Sequence, residues 1–185
     1  MQGNKNAIRL SVIVAVRDDE DTVCGDVRAL AHRLRERNLD FEILAVADGS
    51  FDTSLTLLRF LREELPELSV LGIARGGRGF RRATAHALGE AVLLWEANRG
   101  ARFPHAILGW ALSRLARRAA VVVRGRFVLA HRLRALPVLL DTIGRGDEYE
   151  ARFERRAADL RLDVEVVGMR PRRSPWLPVR RILWV

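Results

Sequence analysis

Residues 43–50 read ILAVADGS, an apolar run that ends on the polar turn Asp48, Gly49 and Ser50. A short apolar run closed by turn residues is typical of a strand buried on both faces of a parallel sheet. In such sheets, ligands bind beyond the carboxyl ends of the strands. We therefore predict a ligand-binding edge at this turn.

Three further apolar runs surround this strand in the chain and alternate with helix-forming stretches. The predicted strands cover residues 8–16, 68–74 and 91–95. An acidic loop at Asp18 and Asp19 follows the first strand and suits a helix start, because carboxylates favour a helix N-terminus. Strands that alternate with helices predict an α/β fold, a Rossmann-like and mainly parallel sheet flanked by helices.

The second half of the chain has weaker patterns. A helix opened by Pro104 is predicted over 104–115 and a strand over 119–123. Residues 127–140 are predicted to form a short strand or turn and then a helix. An amphipathic helix over 148–160 and a last strand over 164–169 follow. A helix is also predicted through Ala83, Ala87 and Leu88, after a glycine-rich loop at 75–79. The sequence shows no linker, repeat or low-complexity segment, so residues 1–185 are predicted to be a single domain.

Charge is unevenly distributed along the chain. Residues 1–74 carry 9 basic and 13 acidic side chains, whereas residues 75–185 carry 23 and 10, so the second half is net +13. This asymmetry is compatible with an anionic partner, which would require Arg75, Arg78, Arg124 and Arg126 to cluster. It is equally compatible with a general arginine preference, since 31 of the 32 basic residues are arginine. Nucleic acid is an unlikely partner because the sequence lacks interleaved aromatics and any base-reading motif.

Other features limit the classes of protein. The single cysteine, Cys24, excludes an internal disulfide, and the four histidines lack metal-type spacing. No apolar run reaches the roughly 18–20 residues that span a bilayer. The polar N-terminus lacks the apolar core of a secretory signal, which predicts a cytoplasmic location.

Four stretches at the predicted strand ends form a pattern. They read AVRDD at 15–19, ADGSFD at 47–52, RGGRG at 75–79, and GE at 89–90 followed by EAN at 96–98. Their order and spacing resemble the family 2 glycosyltransferases of the GT-A fold, most of all the polyprenyl-phosphate sugar transferases of the dolichol-phosphate mannose synthase type. That resemblance implies a GT-A domain that binds a UDP- or GDP-linked sugar.

The resemblance also implies a set of nucleotide-binding residues, namely Asp18, Asp19, Asp48, Gly49, Ser50, Arg75, Gly77 and Gly79. In the family, an Asp-x-Asp pair holds the cation that neutralises the donor diphosphate. Here the same place reads Glu96-Ala97-Asn98, which keeps one carboxylate and replaces the other with a neutral amide. Because Mg²⁺ and Mn²⁺ prefer carboxylate oxygens, the metal is expected to bind weakly or not at all at Glu96 and Asn98.

The acceptor side of the resemblance involves other residues. Asp147 and Glu148 stand where many family members place an acidic pair before a helix, so they are candidates for the general base, or they merely cap that helix. Arg126 and Arg172 match the family's later Gly-Ser-Arg and Arg-Pro-Arg motifs and are candidates to bind an acceptor phosphate. A lipid-phosphate acceptor would place the protein at the inner face of the membrane.

These features are compatible with two alternative functions. The first is a glycosyltransferase-like protein with weakened or lost transfer activity, because its motifs depart at polar positions. The alternative is a non-catalytic relative that acts as a partner-binding or regulatory subunit. The sequence leaves the sugar, the acceptor and the oligomeric state open.

Overall fold

The computed structural model describes residues 10–73, 78–96, 105–143 and 149–168. Within these ranges the strands are β1 Leu10–Val16, β2 Phe41–Asp48, β3 Leu68–Ile73, β4 Ala91–Glu96, β5 Ala120–Arg124, β6 Phe127–His131 and β7 Val164–Gly168. The helices are α1 Val23–Glu36, α2 Ser54–Glu64, α3 Arg78–His86, α4 His105–Leu115, α5 Leu136–Thr142 and α6 Tyr149–Asp159.

The seven strands form one mixed sheet in the order β3-β2-β1-β4-β6-β5-β7. The four strands of the first half are all parallel, and β6 runs antiparallel to both β4 and β5. The last strand, β7, is parallel to β5 at the far edge of the sheet. This arrangement confirms the predicted α/β fold with a mainly parallel sheet flanked by helices.

The sheet separates two hydrophobic cores. On one face, alternate residues of β1 such as Val12 and Val14 pack with the buried sides of α1, α2 and α4. On the other face, Ile13 packs with residues of α3, α5 and α6. Successive side chains of a strand point to opposite faces, so a strand covered on both sides is apolar at every position. This explains the uninterrupted apolar runs in the sequence.

The end of α3 differs from the prediction. The helix ends at His86, and Ala87 and Leu88 lie beyond it. The reason is a set of competing hydrogen bonds: the N–H of Leu88 donates to Glu42 Oε1 at 2.6 Å, and the N–H of Gly89 donates to the buried Ser11 Oγ at 2.7 Å. These bonds draw the chain out of the helix and into β4, and they leave Leu88 56% exposed.

The start of α3 also differs. The helix begins at Arg78, so Gly79 is buried in its first turn rather than part of the predicted glycine-rich loop. In the second half, the strand that was one of two alternatives after residue 127 is β6, which forms a hairpin with β5. In the ranges that the structure describes, no helix has the length and apolar character needed to cross a bilayer.

Candidate functional site

The carboxyl ends of β2, β1 and β4 lie side by side at one edge of the sheet. The register pairs Val16 with Ala47 and Ala15 with Glu96. The backbones of Asp48 and Glu96 therefore lie at the same end of the sheet, with β1 between them. This confirms that the two positions share an edge, as the apolar runs closed by polar turns predicted.

The β5–β6 turn reaches the same edge. Trp95 pairs with Phe127, so Glu96 and Arg126 each stand one residue beyond the last pair of these antiparallel strands. Gly125 adopts φ 70° in the turn, a conformation that glycine reaches without steric cost. Its N–H donates to Glu150 Oε2 at 2.9 Å, which ties the turn to α6. The candidate metal residue and the candidate phosphate residue are thus brought together by topology.

The loops after β1 and β2 are joined directly. The N–H of Phe51 donates to Asp18 Oδ1 at 2.8 Å, and the N–H of Asp18 donates to Ser50 Oγ at 3.3 Å. Ser50 Oγ in turn donates to the carbonyl of Val16 at 3.4 Å. Asp18 has φ 48°, which places its amide and its carboxylate toward the second loop. Asp18 and Ser50, two of the predicted nucleotide-binding residues, therefore hold the two loops together at this edge of the sheet.

A second layer of polar contacts supports this junction. Glu20 Oε2 accepts from both the N–H and the Oγ1 of Thr53, at 2.9 and 2.6 Å. Asp52 accepts from the N–H and the Oγ of Ser54, at 3.0 and 2.7 Å, and from the N–H of Glu20 at 2.9 Å. Asp52 thereby satisfies the N–H of Ser54, the first residue of α2. The role of Glu20 was missed, since nothing in the local sequence pairs residues more than thirty positions apart.

Asp19 has one oxygen that the fold does not use. Its N–H donates to Ser54 Oγ at 3.0 Å, and its Oδ1 accepts from Thr22 Oγ1 at 2.6 Å. Its Oδ2 is buried and has no hydrogen-bond partner among the described residues. A buried acceptor without a partner carries a desolvation cost that a ligand's donor group would remove.

The pKa values of Glu20 and Asp52 respond to these contacts. The hydrogen bonds from Thr53 hold the pKa of Glu20 below its ordinary value. Burial alone would raise the pKa of Asp52, but the hydrogen bonds from Ser54 and Glu20 outweigh it and the pKa is lowered. Both carboxylates are therefore stabilised as anions in the folded protein.

This lowering predicts a loss of stability in acid. A group whose pKa is depressed on folding stabilises the protein above its unfolded pKa, and that stabilisation is lost as pH falls through the folded value. We expect the free energy of unfolding to fall as pH drops below the ordinary values of 4.5 for Glu20 and 3.8 for Asp52. Asp52→Asn removes the charge that accepts the hydrogen bonds of Ser54 and Glu20, so it should lower stability by about 1 kcal/mol at neutral pH. The variant should also lose less stability on acidification. Urea unfolding at several pH values measures both, with the exposed Asp159→Asn as control. Equal acid sensitivity of Asp52→Asn and the unaltered protein would contradict this.

The predicted arginine cluster is only partly described. Arg124 forms a two-point ion pair with Glu154 of α6, through Nε to Oε1 at 2.9 Å and Nη2 to Oε2 at 2.5 Å. Its guanidinium therefore supports the β5–β6 turn, a function the sequence did not indicate. Arg126 lies in this turn and is half-buried.

Several predicted site residues lie outside the described residues. They are Arg75, Gly77, Asn98, Asp147, Glu148 and Arg172, together with the side chains of Asp48 and Glu96. Among the residues that are described, no three His, Cys, Asp or Glu side chains lie close enough to hold a metal ion. The donor set at 96–98 suits a hard cation only if a ligand diphosphate supplies further oxygens.

The whole fold is similar to that of solved glycosyltransferases. A mannosyltransferase from Pyrobaculum calidifontis in complex with GDP-Man and Mn²⁺ matches over 89% of this chain and 56% of its own, at 17% identity and a TM-score of 0.66. Glucosyl-3-phosphoglycerate synthase from Mycobacterium tuberculosis, in complex with Mn²⁺, UDP and phosphoglyceric acid, matches over 87% and 68%, at 15% identity and a TM-score of 0.64. Mannosyl-3-phosphoglycerate synthase from Rubrobacter xylanophilus matches over 63% and 40%, at 22% identity and a TM-score of 0.51.

These similarities define the class of fold: the chain has the GT-A glycosyltransferase fold. The chain spans little more than half the length of the mannosyltransferase. No protein-family model matches the sequence, and no curated protein matches it. At these identities the likeness establishes the fold alone.

Proposed function

We propose that this protein binds a UDP- or GDP-linked sugar at the edge formed by the ends of β2, β1, β4 and the β5–β6 turn. One observation carries the proposal. The strand register brings the end of β2, with Asp48 and Ser50, to the same edge of the sheet as Glu96 and Arg126. Ligands of open α/β sheets bind beyond the carboxyl ends of the strands. The relatives from Pyrobaculum and Mycobacterium were solved with GDP-Man and with UDP.

Nucleotide recognition is assigned to the joined loops after β1 and β2. The buried Asp19 Oδ2, which lacks a partner among the described residues, suits a donor group of the ribose or base. Ser50 and Gly49 bring the backbone close to the ligand, and Gly49 has φ 70°. Arg75, Gly77 and Gly79 are proposed to complete the site on the side of α3, by resemblance to the family motif.

Donor chemistry is proposed to be weakened or lost. A divalent cation, when bound, would neutralise charge on the leaving diphosphate. Here Glu96 offers one carboxylate on a long side chain and Asn98 a neutral amide oxygen, so the chain binds Mg²⁺ or Mn²⁺ weakly without a diphosphate. Asp147 or Glu148 would accept the acceptor's proton if transfer occurs, and each also suits a cap on α6.

The acceptor side is proposed from the same resemblance. Arg126, next to Glu96 by register, and Arg172 would bind an acceptor phosphate through charge-assisted hydrogen bonds. A polyprenyl phosphate would bring the protein to the inner face of a membrane. The dolichol-phosphate mannose synthase subtype is proposed on this basis.

The proposal is tested by titrating the protein with UDP and GDP, with and without Mn²⁺. We expect measurable nucleotide binding with weak dependence on Mn²⁺. Asn98→Asp restores a second carboxylate, and should strengthen Mn²⁺-dependent binding about tenfold, which is about 1.4 kcal/mol. No nucleotide binding by either protein would overturn the proposal and favour a relative that keeps the fold as a partner-binding or regulatory subunit.

The resembled family carries an aspartate where this chain has Ala47, but Ala47→Asp is a poor companion to Asn98→Asp. Ala47 is 3% exposed within β2, between Val16 of β1 and Gly72 of β3. A carboxylate introduced there would be buried without an evident partner, and burying an unpaired charge is costly. A loss of binding in Ala47→Asp would therefore report a folding defect rather than a change in recognition.

A further inference from the structure

A cavity of about 420 Å³ lies among the helices that cover one face of the sheet. It is lined by residues of α3, α5 and α6, namely Arg81, Asp141, Thr142, Arg152 and Arg156. Three guanidinium groups and one carboxylate are the charged groups among the described lining residues, so this part of the lining has a surplus of positive charge. Its volume is in the range of small-molecule binding sites.

One of the arginines is held in position by the fold. Arg152 donates from Nε and Nη2 to the carbonyl of Thr142, at 3.3 and 3.1 Å. Thr142 is the last residue of α5, and the carbonyls at a helix C-terminus attract cations. The contact therefore satisfies a carbonyl at the end of α5 and fixes the guanidinium at the cavity wall. Because the Arg152 side chain is already ordered, ligand binding would cost less conformational entropy.

The other two arginines have no such anchor. Within the described ranges, neither Arg81 nor Arg156 forms a hydrogen bond or ion pair with another residue. Arg156 lies one helical turn after Arg152 on α6, and like charges at this spacing repel each other. By contrast, Arg124 is neutralised by Glu154 of the same helix. An anion in the cavity would supply the charged partner that Arg81 and Arg156 lack among the described residues.

We propose that this cavity binds a phosphate monoester through Arg81, Arg152 and Arg156. A phosphate monoester carries a charge between −1.5 and −2 near neutral pH, which matches the surplus on the lining. Its oxygens accept the paired N–H groups that guanidinium presents, and such charge-assisted bonds are stronger than neutral ones. Asp141 disfavours a more highly charged ligand and offers an acceptor for a hydroxyl on the same molecule.

The location of the cavity relates it to the nucleotide edge. The strand β3 is parallel to β2, so α3 begins at the edge where β2 ends. The strand β7 is parallel to β5 and follows α6, so α6 also begins at this edge. The phosphate site therefore adjoins the candidate nucleotide site. Its assignment as the binding site of a phosphorylated acceptor rests on the proposed function. The binding of phosphate itself does not depend on the proposed function.

The test is calorimetric titration with inorganic phosphate and with glycerol 3-phosphate, at neutral pH, in low salt and without divalent cations. We expect Arg81→Gln and Arg156→Gln each to weaken binding about threefold to tenfold, which a lost charge-assisted hydrogen bond at a partly exposed site accounts for. The matched control is Arg155→Gln, since Arg155 is exposed on α6 and does not line the cavity. It should leave phosphate affinity within about twofold of the unaltered protein.

Two results would overturn the proposal: no phosphate binding to the unaltered protein, or an equal loss in Arg155→Gln, which would indicate general charge attraction. UDP and GDP binding, measured on the same variants, should be unchanged, so failure of the phosphate site is distinguishable from failure of the nucleotide site. Phosphatidylcholine vesicles with and without phosphatidic acid form a further arm. If the protein binds the acidic vesicles and this binding depends on Arg81 and Arg156, the phosphate belongs to a lipid headgroup. If the protein does not bind these vesicles, the phosphate belongs to a soluble ligand.

Discussion

Replacing Glu96 with alanine is expected to abolish the Mn²⁺-dependent part of nucleotide binding. Glu96 is the proposed carboxylate ligand of the metal, and the register places its backbone at the shared strand edge beside β1. Because the neighbouring Asn98 contributes only a neutral amide, loss of Glu96 leaves no charged ligand in this motif. We expect the gain in UDP or GDP affinity that Mn²⁺ gives the unaltered protein to disappear, and any transfer activity to be lost.

The matched control uses the other end of the same strand. Glu90 is exposed and immediately precedes β4, at the edge opposite Glu96. Glu90→Ala removes one carboxylate from the chain, and so changes net charge equally without touching the proposed site. Calorimetry with and without Mn²⁺ compares the two variants. If Glu96→Ala and Glu90→Ala have the same Mn²⁺ response, Glu96 is not the metal ligand and the assignment is wrong.

Truncating Phe127 to alanine is expected to lower the free energy of unfolding by about 3–5 kcal/mol. Phe127 is fully buried at the start of β6, where it pairs with Trp95 of β4 and Val123 of β5. Its removal leaves a cavity beside the two antiparallel pairs that carry the second half of the sheet. Because Arg126 precedes it, the variant should also loosen the β5–β6 turn at the candidate site.

Phe60 provides the control for this truncation. It is 70% exposed on α2, so Phe60→Ala removes the same atoms without emptying a buried space. Surface substitutions of this kind change stability by less than about 0.5 kcal/mol. Urea unfolding followed by circular dichroism measures both variants. Similar losses in the two would mean that Phe127 does not pack as the structure describes.

Much of the fold could be predicted from local pattern. The parallel strands β1, β2 and β4 are apolar at nearly every position because both of their faces are covered, and this pattern is visible without tertiary information. The turn at Asp48 and Gly49 marks a strand end by composition alone. The order of helices and strands in the first half therefore follows from the sequence. Strand β6 was less clear, since a run of five residues is too short for its pattern to distinguish a strand from a turn.

The helix α3 shows where local pattern fails. Glycines at 76, 77 and 79 predict a loop, yet the helix includes Gly79 and ends early. Its end depends on Glu42 and Ser11, which accept the N–H groups of Leu88 and Gly89 from strands that are remote in sequence. Hydrogen bonds of this kind compete with helix propensity, and only the folded chain brings the partners together.

For the candidate site, the sequence by itself determined where the polar turns at the strand ends stand, and it predicts from residue type and spacing which residues would hold a nucleotide sugar. The tertiary structure alone decided that Asp18 shapes the loop containing Ser50 and Phe51, that Arg126 stands beside Glu96, and that the arginines of α3 and α6 surround one cavity. These arrangements join residues from about 30 to 75 positions apart. Strand register and helix packing bring such residues together, and neither is encoded in a local pattern.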